Sequence, residues 1–447
     1  MAQQTFIQNL YITSRLYTCM VVLIVINIVA FFIPFIQVVV PVASLLFIFF
    51  LGLDVLLLYT KPQLTITRKT PTRLSNSEQN NISVHITHNY KFAISAQVID
   101  ELPEQLQYRN FSIIKNILPN IPTTLHYSLT PLLRGVYNFG NTLVYVSTTI
   151  GIVQRKFSAG NTVNIACYPA YKQMQRYSLL AISNKLTTQG SKLIRKIGQS
   201  NEFEQIKEYV KGDDSRNINW KASARKNQLM TNYYTDEKSQ PIYCIINKGR
   251  TMQQTFVGLT LLDYAINATL MLSNVALHKK DRAGLITYSN TISNNSFLQA
   301  TSRTTQLQYI IEILYKQQTN FLEPDTEKLY ATIRTQIKQR SLLILFTNFE
   351  TLNALERELP YLKKIAKYHV LLVIFFENTE LTALQQQPTT NIEQVYNKTI
   401  ASKFVYEKKL IQKALQQNGI LTLLTTPQQL TTAAINMYIE LKNRLVL

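Results

Sequence analysis

Polar residues follow two apolar runs in the C-terminal half of this 447-residue chain. The segment Asn247–Thr251 comes directly after the run Ile242–Ile246, and Thr347-Asn348 follows Leu342–Phe346. In open parallel α/β sheets, ligands bind beyond the carboxyl ends of the strands. These two segments are therefore the first place to look for a binding site. The alternative interpretation is that they are ordinary polar loops, which the pattern alone favours.

A second unusual segment is Lys207–Arg225, which is dense in charge and contains the only tryptophan of the chain, Trp220. One interpretation is a recognition surface formed by four charged residues: Asp213, Asp214, Arg216 and Arg225. The other is an ion-paired loop that holds Trp220 against the next domain. Physical arguments alone favour this second, structural interpretation.

The sequence carries little that is typical of catalysis. It has 3 cysteines, 5 histidines and 12 glycines, and it lacks a Cys-x-x-Cys pair. A Gly-x-Ser-x-Gly elbow, a Walker phosphate loop and a dinucleotide-binding glycine motif are also absent from the sequence. We therefore predict that the protein is not an enzyme and uses no cofactor. An enzyme of unknown reaction is kept as an alternative.

Residues 241–447 alternate apolar runs with helical patterns, which predicts an α/β doubly wound domain with a parallel sheet covered on both faces. The predicted strands are Ile242–Ile246, Ala283–Tyr288, Leu342–Phe346, His369–Phe376 and Ile420–Leu424. The predicted helices are about Phe256–His278, Thr304–Lys316, Thr326–Lys338 and Pro427–Arg444.

Two further segments precede this domain. Residues 61–170 show short alternating runs separated by turn residues, which predicts a β-sandwich that serves in spacing or docking. We expect no titratable cluster in it, and we expect His85 and His88 to lie at the surface. Residues 171–240 are predicted to be a basic helical and signature-motif linker, with the helix over Tyr171–Lys196.

The first 60 residues contain two apolar stretches, 16–36 and 38–59, each long enough to cross a bilayer as a helix. They predict a transmembrane hairpin. A cleaved signal peptide fits less well, because the apolar block is too long and lacks a basic start. We expect Asp54 to lie near the membrane interface and to reach for water.

The bases that flank the hairpin predict its orientation. Arg15 precedes the first helix, while Lys61, Arg68, Lys69 and Arg73 follow the second. Because positively charged flanks stay in the cytoplasm, both ends and all later domains should be cytoplasmic.

The formal net charge is +20, and it lies mainly after residue 60. Residues 151–230 are the densest part, with 14 Lys and Arg against 5 Asp and Glu. This excess predicts attraction to an anionic membrane surface. Nucleic-acid binding is the alternative, but the bases are scattered and no nucleic-acid-binding motif is present.

The chain resembles a bacterial family, that of domain of unknown function 58, whose members carry a von Willebrand factor A-like domain. The resemblance rests on the segment 131–140, on Glu237 and Pro241, and on a signature in the Lys207–Arg225 segment. The signature residues are Tyr209, Gly212, Asp213, Arg216, Asn219, Trp220, Ala224 and Arg225. The resemblance implies a protein often encoded beside a MoxR-type AAA+ ATPase, with a role in envelope or stress-related assembly.

Von Willebrand factor A-like domains commonly hold Mg²⁺ through an Asp-x-Ser-x-Ser loop and a later Asp. The resemblance aligns these positions with Asn247, Gly249, Thr251 and Asn348, so both carboxylates are replaced by amides. Mg²⁺ prefers charged oxygen ligands and loses its water reluctantly. We therefore expect a degenerate metal site with at most weak Mg²⁺ binding, which could contact a protein partner without metal.

Together these features predict a two-pass protein of the bacterial inner membrane, with domains 1–60, 61–170, 171–240 and 241–447. Its predicted function is that of a membrane-anchored adaptor or scaffold acting with an AAA+ ATPase. The alternatives are an anionic-lipid or nucleic-acid binding protein and an enzyme of unknown reaction.

Overall fold

A computed structural model describes residues 8–60, 64–160, 162–172, 197–210, 215–235, 239–290, 297–319, 321–388 and 391–444. The chain divides into two compact units, Met1–Tyr168 and Pro169–Leu447. Each unit is described by itself below.

Two apolar helices begin the first unit, α1 (Ser14–Phe32) and α2 (Val39–Tyr59), joined by a short 3₁₀ turn at Pro34–Val38. Both are long and apolar enough to cross a membrane, as the sequence predicts. Helix α1 ends earlier than expected because Ile33 precedes a proline. A residue before proline is pushed out of the helical region, and Ile33 has φ −123° and ψ 101°.

The rest of this unit is rich in sheet, which confirms the strand content predicted for residues 61–170. A five-stranded sheet has the order β1-β10-β9-β5-β6, and two three-stranded sheets have the orders β2-β4-β7 and β3-β11-β8. The strands are β1 (Leu10–Ile12), β2 (Leu64–Lys69), β3 (Leu74–Ser75), β4 (Asn80–His88), β5 (Ile94–Asp100), β6 (Ile113–Ile117), β7 (Thr123–Leu129), β8 (Gly135–Phe139), β9 (Thr142–Ser147), β10 (Val153–Ala159) and β11 (Val163–Tyr168). One apolar core contains residues from β2, β4 and β7 together with residues from β5, β9 and β10, so these two sheets pack against each other.

Asp54 joins α2 to the sheets. Its carboxylate accepts hydrogen bonds from the backbone N–H groups of Ile152 (2.8 Å) and Val153 (3.0 Å). The hydroxyl of Thr148 donates a further hydrogen bond to it. The Asp54 side chain is fully buried. The expectation that Asp54 reaches for water is therefore wrong, because its charge is met by donors of the loop before β10.

The start of α1 contacts the same loop. Arg15 donates a hydrogen bond from Nη1 to the carbonyl oxygen of Ile150 (3.0 Å), and Thr13 donates one from Oγ1 to that of Gly151 (2.7 Å). Gly151 has φ +68°, and a Cβ there would lie 2.9 Å from the guanidinium. The start of α1 and the Asp54 side chain, near the end of α2, therefore meet at one loop, which is the geometry of a hairpin.

Two expectations about titratable groups in the sheets are wrong. His88 is buried, because it continues the inward-facing positions of β4 rather than marking an exposed strand end. A buried ion pair also joins Arg68 to Asp100 (2.6 Å), and Tyr127 and Thr142 donate hydrogen bonds to the same carboxylate. Burial, reinforced by Asp100, raises the pKa of Tyr127 well above its usual value.

The second unit contains a six-stranded sheet of order β18-β17-β14-β19-β20-β21, parallel except for the edge strand β18. This confirms an α/β region after residue 240. The remaining strands are β12 (Ile197–Glu208), β13 (Met230–Thr235), β14 (Pro241–Asn247), β15 (Thr255–Phe256), β16 (Leu259–Thr260), β17 (Arg282–Tyr288), β18 (Phe297–Thr301), β19 (Leu342–Phe346), β20 (Val370–Phe376) and β21 (Leu421–Thr425). The helices are α3 (Trp220–Lys226), α4 (Leu261–His278), α5 (Gln306–Tyr315), α6 (Thr326–Gln336), α7 (Leu352–Tyr368), α8 (Thr379–Gln386), α9 (Ile392–Gln417) and α10 (Leu430–Asn443).

Both faces of this sheet are covered. Alternate residues of β14 enter two separate cores, with Ile242, Cys244 and Ile246 on one face and Tyr243 and Ile245 on the other. Helices α4 and α10 pack on the first face, and α6, α7 and α9 on the second. The sequence patterns predict no helix for the segments that form α7, α8 and α9.

The predicted linker is only partly helical. Strands β12 and β13 form an antiparallel ribbon, with α3 between them in sequence. The predicted basic helix lies outside the described residues except for Tyr171 and Lys172, which are not helical. Trp220 is 71% exposed, so the structural interpretation that holds it against the next domain is wrong.

We predict that Asp54→Ala lowers the thermal stability of the full-length protein in detergent. The change leaves two backbone N–H groups and a hydroxyl without their acceptor in a buried place, at a cost of about 3 kcal/mol. Asp54→Asn keeps one acceptor oxygen and should lose less. The control is Asn27→Ala, because exposed Asn27 bonds only to Leu23 of its own helix. Equal unfolding midpoints for Asp54→Ala and Asn27→Ala would contradict the role of Asp54.

Candidate functional site

The carboxyl ends of β14 and β19 are joined through the side chain of Asn247. Its Nδ2 donates a hydrogen bond to Thr347 Oγ1 (3.0 Å), and its Oδ1 accepts one from the Gly249 N–H (2.8 Å). Asn247 and Thr347 are buried. The structure therefore brings the predicted loop and the predicted end of β19 together, and Asn247 stabilises their junction.

Gly249 lies where the chain allows no side chain. A Cβ at this position would lie 2.8 Å from Cδ of Pro324 and 3.3 Å from the carbonyl oxygen of Leu322. The next residue, Arg250, donates its backbone N–H to the same Leu322 carbonyl (3.3 Å). The glycine thus permits close packing of the 247–251 loop on the segment before α6.

Asn348, the last residue predicted for this site, contacts an ammonium group. Its Oδ1 accepts a hydrogen bond from Lys408 Nζ (2.6 Å), while its Nδ2 donates to Gln254 Oε1 (3.3 Å) and to the Thr251 carbonyl (3.4 Å). Lys408 also donates to the carbonyl oxygen of Phe349. Burial lowers the pKa of Lys408 to about 8.

These donor atoms do not fit Mg²⁺. The amide oxygen of Asn247 already accepts the Gly249 N–H, and that of Asn348 accepts the Lys408 ammonium. A cation at Asn348 would be repelled by this ammonium, which lies 2.6 Å from the only oxygen the amide offers. Thr251 Oγ1 is buried and has no hydrogen-bond partner among the described residues, but one neutral hydroxyl is a poor ligand set. That the protein binds no Mg²⁺ stays a prediction.

Two cavities open on either side of Asn348. The larger has a volume of about 520 Å³ and lies beyond the ends of β19, β20 and β21, against α9. The smaller, of about 330 Å³, lies beside the 247–251 loop and the start of α6. Two residues predicted from the sequence border these cavities. Thr251 borders the smaller cavity, and Asn348 borders both.

Two titratable residues of these cavities are not predicted from the sequence. Lys408 borders the larger cavity and Glu358 the smaller. Burial raises the pKa of Glu358 to about 7, although Thr326 Oγ1 donates a hydrogen bond to its carboxylate (2.9 Å) and thereby lowers it. Neither residue stands next to a motif in the sequence, so only the tertiary structure reveals them.

The signature residues lie apart from this edge, around α3. Asn219 caps the helix by accepting the Ala222 N–H at Oδ1 (3.0 Å), and the Tyr209 N–H bonds to the Leu229 carbonyl (2.8 Å). Further described members of the signature are exposed: Arg216, Trp220, Ala224 and Arg225. Gly212 and Asp213, together with Asp214, lie outside the described residues.

Residues 205–384 match the family described as "Protein of unknown function DUF58". The family resemblance is thereby confirmed, and the chain carries this family's region over those residues. The matched region includes the signature around α3 and the carboxyl ends of β14 and β19.

A curated relative is the "Uncharacterized protein YeaD" of Bacillus subtilis (strain 168), 24% identical over 215 residues. The match covers 46% of this chain and 52% of the relative, so the chain spans about half the length of the curated relative it matches.

Among solved structures, the CARDB domain of the PF1109 protein from Pyrococcus furiosus is 18% identical, with 24% of this chain and 88% of that one covered and a TM-score of 0.18. The PapD-like domain 7 of human CEP192 is 12% identical, with 25% and 92% covered and a TM-score of 0.19. At such TM-scores these likenesses carry no argument about the fold.

We predict that millimolar Mg²⁺ leaves the thermal unfolding midpoint of the full-length protein unchanged relative to EDTA, because both amide oxygens are occupied. The comparison variant combines Asn247→Asp, Asn348→Asp and Lys408→Met, which supplies two carboxylates and removes the ammonium. This variant should gain a Mg²⁺-dependent rise. A rise of similar size in the unchanged protein would show that the native donors bind the metal.

We predict that Glu358→Gln changes how stability depends on pH. Because the folded-state pKa of Glu358 is raised from 4.5 to about 7, its stabilising contribution is full below pH 4.5 and is lost as the pH rises through 7. Glutamine stays neutral, so above pH 7 the free energy of unfolding of the variant should exceed that of the unchanged protein by about 3 kcal/mol at most.

The measurement is chemical denaturation across this pH range. Glu356→Gln, an exposed neighbour on the same helix, serves as the control and should leave the pH profile unchanged. A Glu358→Gln profile that parallels that of the unchanged protein would contradict the raised pKa.

Proposed function

We propose that this protein is a membrane-anchored adaptor whose α/β region, of the von Willebrand factor A-like type, binds a protein partner at the carboxyl edge of its sheet without a metal. The partner class is a MoxR-type AAA+ ATPase, as the family resemblance implies. In this proposal the hairpin crosses the bacterial inner membrane twice. The sheet-rich region, taken as a β-sandwich, and the α/β region both lie in the cytoplasm.

The larger cavity is the observation that carries the proposal. Its walls include the aromatic side chains of Phe256, Phe376 and Phe404, and its border carries charges of both signs. The charged residues are Glu350, Glu377, Lys408 and Lys409. An apolar centre that excludes water, surrounded by polar groups, is the usual arrangement of a protein-binding hot spot.

The Lys408 ammonium supports recognition without metal. It donates to Asn348 Oδ1 and to the Phe349 carbonyl, which fixes a positive charge at the place where the family resemblance leads one to expect a metal ion. A lysine cannot exchange with solvent as a bound ion does. The site would therefore engage its partner in the presence of a metal chelator.

An enzymatic function has one observation in its favour, namely Glu358, whose pKa of about 7 suits a general base. Against it, the described residues that border the two cavities include no serine, cysteine or histidine. The Glu358 carboxylate is also engaged by Thr326. Partner binding thus explains more of the site.

The test is affinity purification of the tagged full-length protein from detergent-solubilised membranes, followed by mass spectrometry. We expect an AAA+ ATPase to co-purify with the unchanged protein, with EDTA present. Phe404→Ser should reduce its recovery several-fold, because Phe404 is 38% exposed and borders the cavity.

The matched control is Tyr309→Ser, because Tyr309 is an exposed aromatic residue on α5 that borders neither cavity. It should leave recovery unchanged. Asn247 is unsuitable here, since its burial makes any variant a test of stability. Absence of an AAA+ ATPase would reject the partner, and equal recovery with Phe404→Ser and Tyr309→Ser would reject the site.

A further inference from the structure

Helix α3 is attached to the β12–β13 ribbon and carries three exposed bases and an exposed tryptophan. Asn219 holds α3 on the ribbon by donating from Nδ2 to Asn232 Oδ1 (2.8 Å). Ser223 adds a second attachment, since its Oγ accepts the Met230 N–H (2.9 Å). With its inner residues bound in this way, α3 points Trp220 outward, where it is 71% exposed.

The segment that contains α3 is basic. Between residues 215 and 230 the chain has four bases and no acid. Three of these bases, Lys221, Arg225 and Lys226, are exposed on the same short helix as Trp220. Trp220 and these three bases are together called the basic aromatic face below.

A groove of about 280 Å³ separates this face from the ribbon. The same three basic side chains border it, and Ile206 and Met230 supply apolar contacts. Val210 and Leu229, which are 64% and 48% exposed, extend the apolar surface nearby. Cations beside exposed apolar groups fit a ligand that presents anionic groups above an apolar layer.

We propose that the basic aromatic face binds the surface of an anionic bilayer, with the bases on lipid phosphates and Trp220 at the level of the headgroups. Tryptophan is enriched at this level because its ring is apolar and its N–H is polar. Clustered lysine and arginine residues are attracted to anionic lipids over about one Debye length. This proposal does not depend on the adaptor function.

The bilayer is favoured over nucleic acid by the rest of the chain. The protein carries two helices long and apolar enough to cross a membrane, and the basic aromatic face belongs to the same polypeptide. Such a tether gives the face a high effective concentration near lipid, so weak individual contacts are enough for binding. Nucleic acid offers the phosphates but no apolar layer for Val210 and Leu229.

The chain provides its own probe, because Trp220 is its only tryptophan. The full-length protein is reconstituted in nanodiscs of brominated phosphatidylcholine, with or without about 30% phosphatidylglycerol to supply the anionic charge. With phosphatidylglycerol we expect a blue-shifted Trp220 emission and at least twofold stronger quenching by bromine. Salt at about 1 M should abolish the difference, since the Debye length is then about 3 Å.

The test variant combines Lys221→Gln, Arg225→Gln and Lys226→Gln and should lose the lipid-dependent quenching. A variant with Lys221→Arg and Lys226→Arg keeps the charge and should retain it. The control combines Lys363→Gln, Lys367→Gln and Lys403→Gln, three exposed bases elsewhere in the same unit, and should behave like the unchanged protein. Thermal unfolding midpoints confirm that each variant folds.

Three results would overturn the proposal. The first is a Trp220 emission that is the same in both lipid compositions. The second is equal quenching in the test variant and the control. The third is a shift caused by short duplex DNA at physiological salt where anionic nanodiscs cause none, which would make nucleic acid the ligand.

Discussion

The first unit depends on one carboxylate in an apolar helix. Asp54 would be costly to bury alone, and the structure offsets this cost with two backbone N–H groups and a hydroxyl from a single loop. Arg15 and Thr13 bind carbonyl groups of the same loop. The apolar helices are thereby attached to the sheets through this loop. A movement of the hairpin would therefore displace the loop as well.

The carboxyl edge of the six-stranded sheet in the second unit is stabilised by neutral groups and one lysine. Two amides connect the strand ends, and the Lys408 ammonium supplies positive charge to Asn348. The edge is therefore held together by hydrogen bonds within the chain, and it would keep its shape whether or not a divalent ion is present. The two cavities beside it are parts of a preformed surface.

The sequence predicts the elements better than it predicts their contacts. Apolar runs such as Ile242–Ile246 specify buried parallel strands, and the strand Leu342–Phe346 agrees with the prediction at both ends. The burial of His88 could also be predicted, because every second residue of β4 from Asn80 to His88 is buried. The alternation that predicts the strand also predicts that burial.

The contacts of Asp54 and Lys408 could not be predicted from the sequence, for a physical reason. Asp54 is bound by backbone N–H groups, which every residue except proline offers, at a sequence separation of 98 residues. Lys408 is one of several lysines on α9, and only the packing of this helix near the residues that follow β19 selects it. Trp220 shows the opposite error: a lone tryptophan in a charged segment was expected to be covered, yet Asn219 and Ser223 fix the helix with that ring facing outward.

The loop that binds Asp54 also has a consequence for synthesis of the protein on the ribosome. The hairpin is made first, and the donors for Asp54 follow 94 to 99 residues later. At about 5–20 residues per second this interval lasts roughly 5–20 s. In the proposed membrane hairpin, the end of α2 would keep this carboxylate in contact with water during that time, which would oppose movement of the helix deeper into the bilayer. The order of translation would thus position the second helix before any sheet exists to hold it.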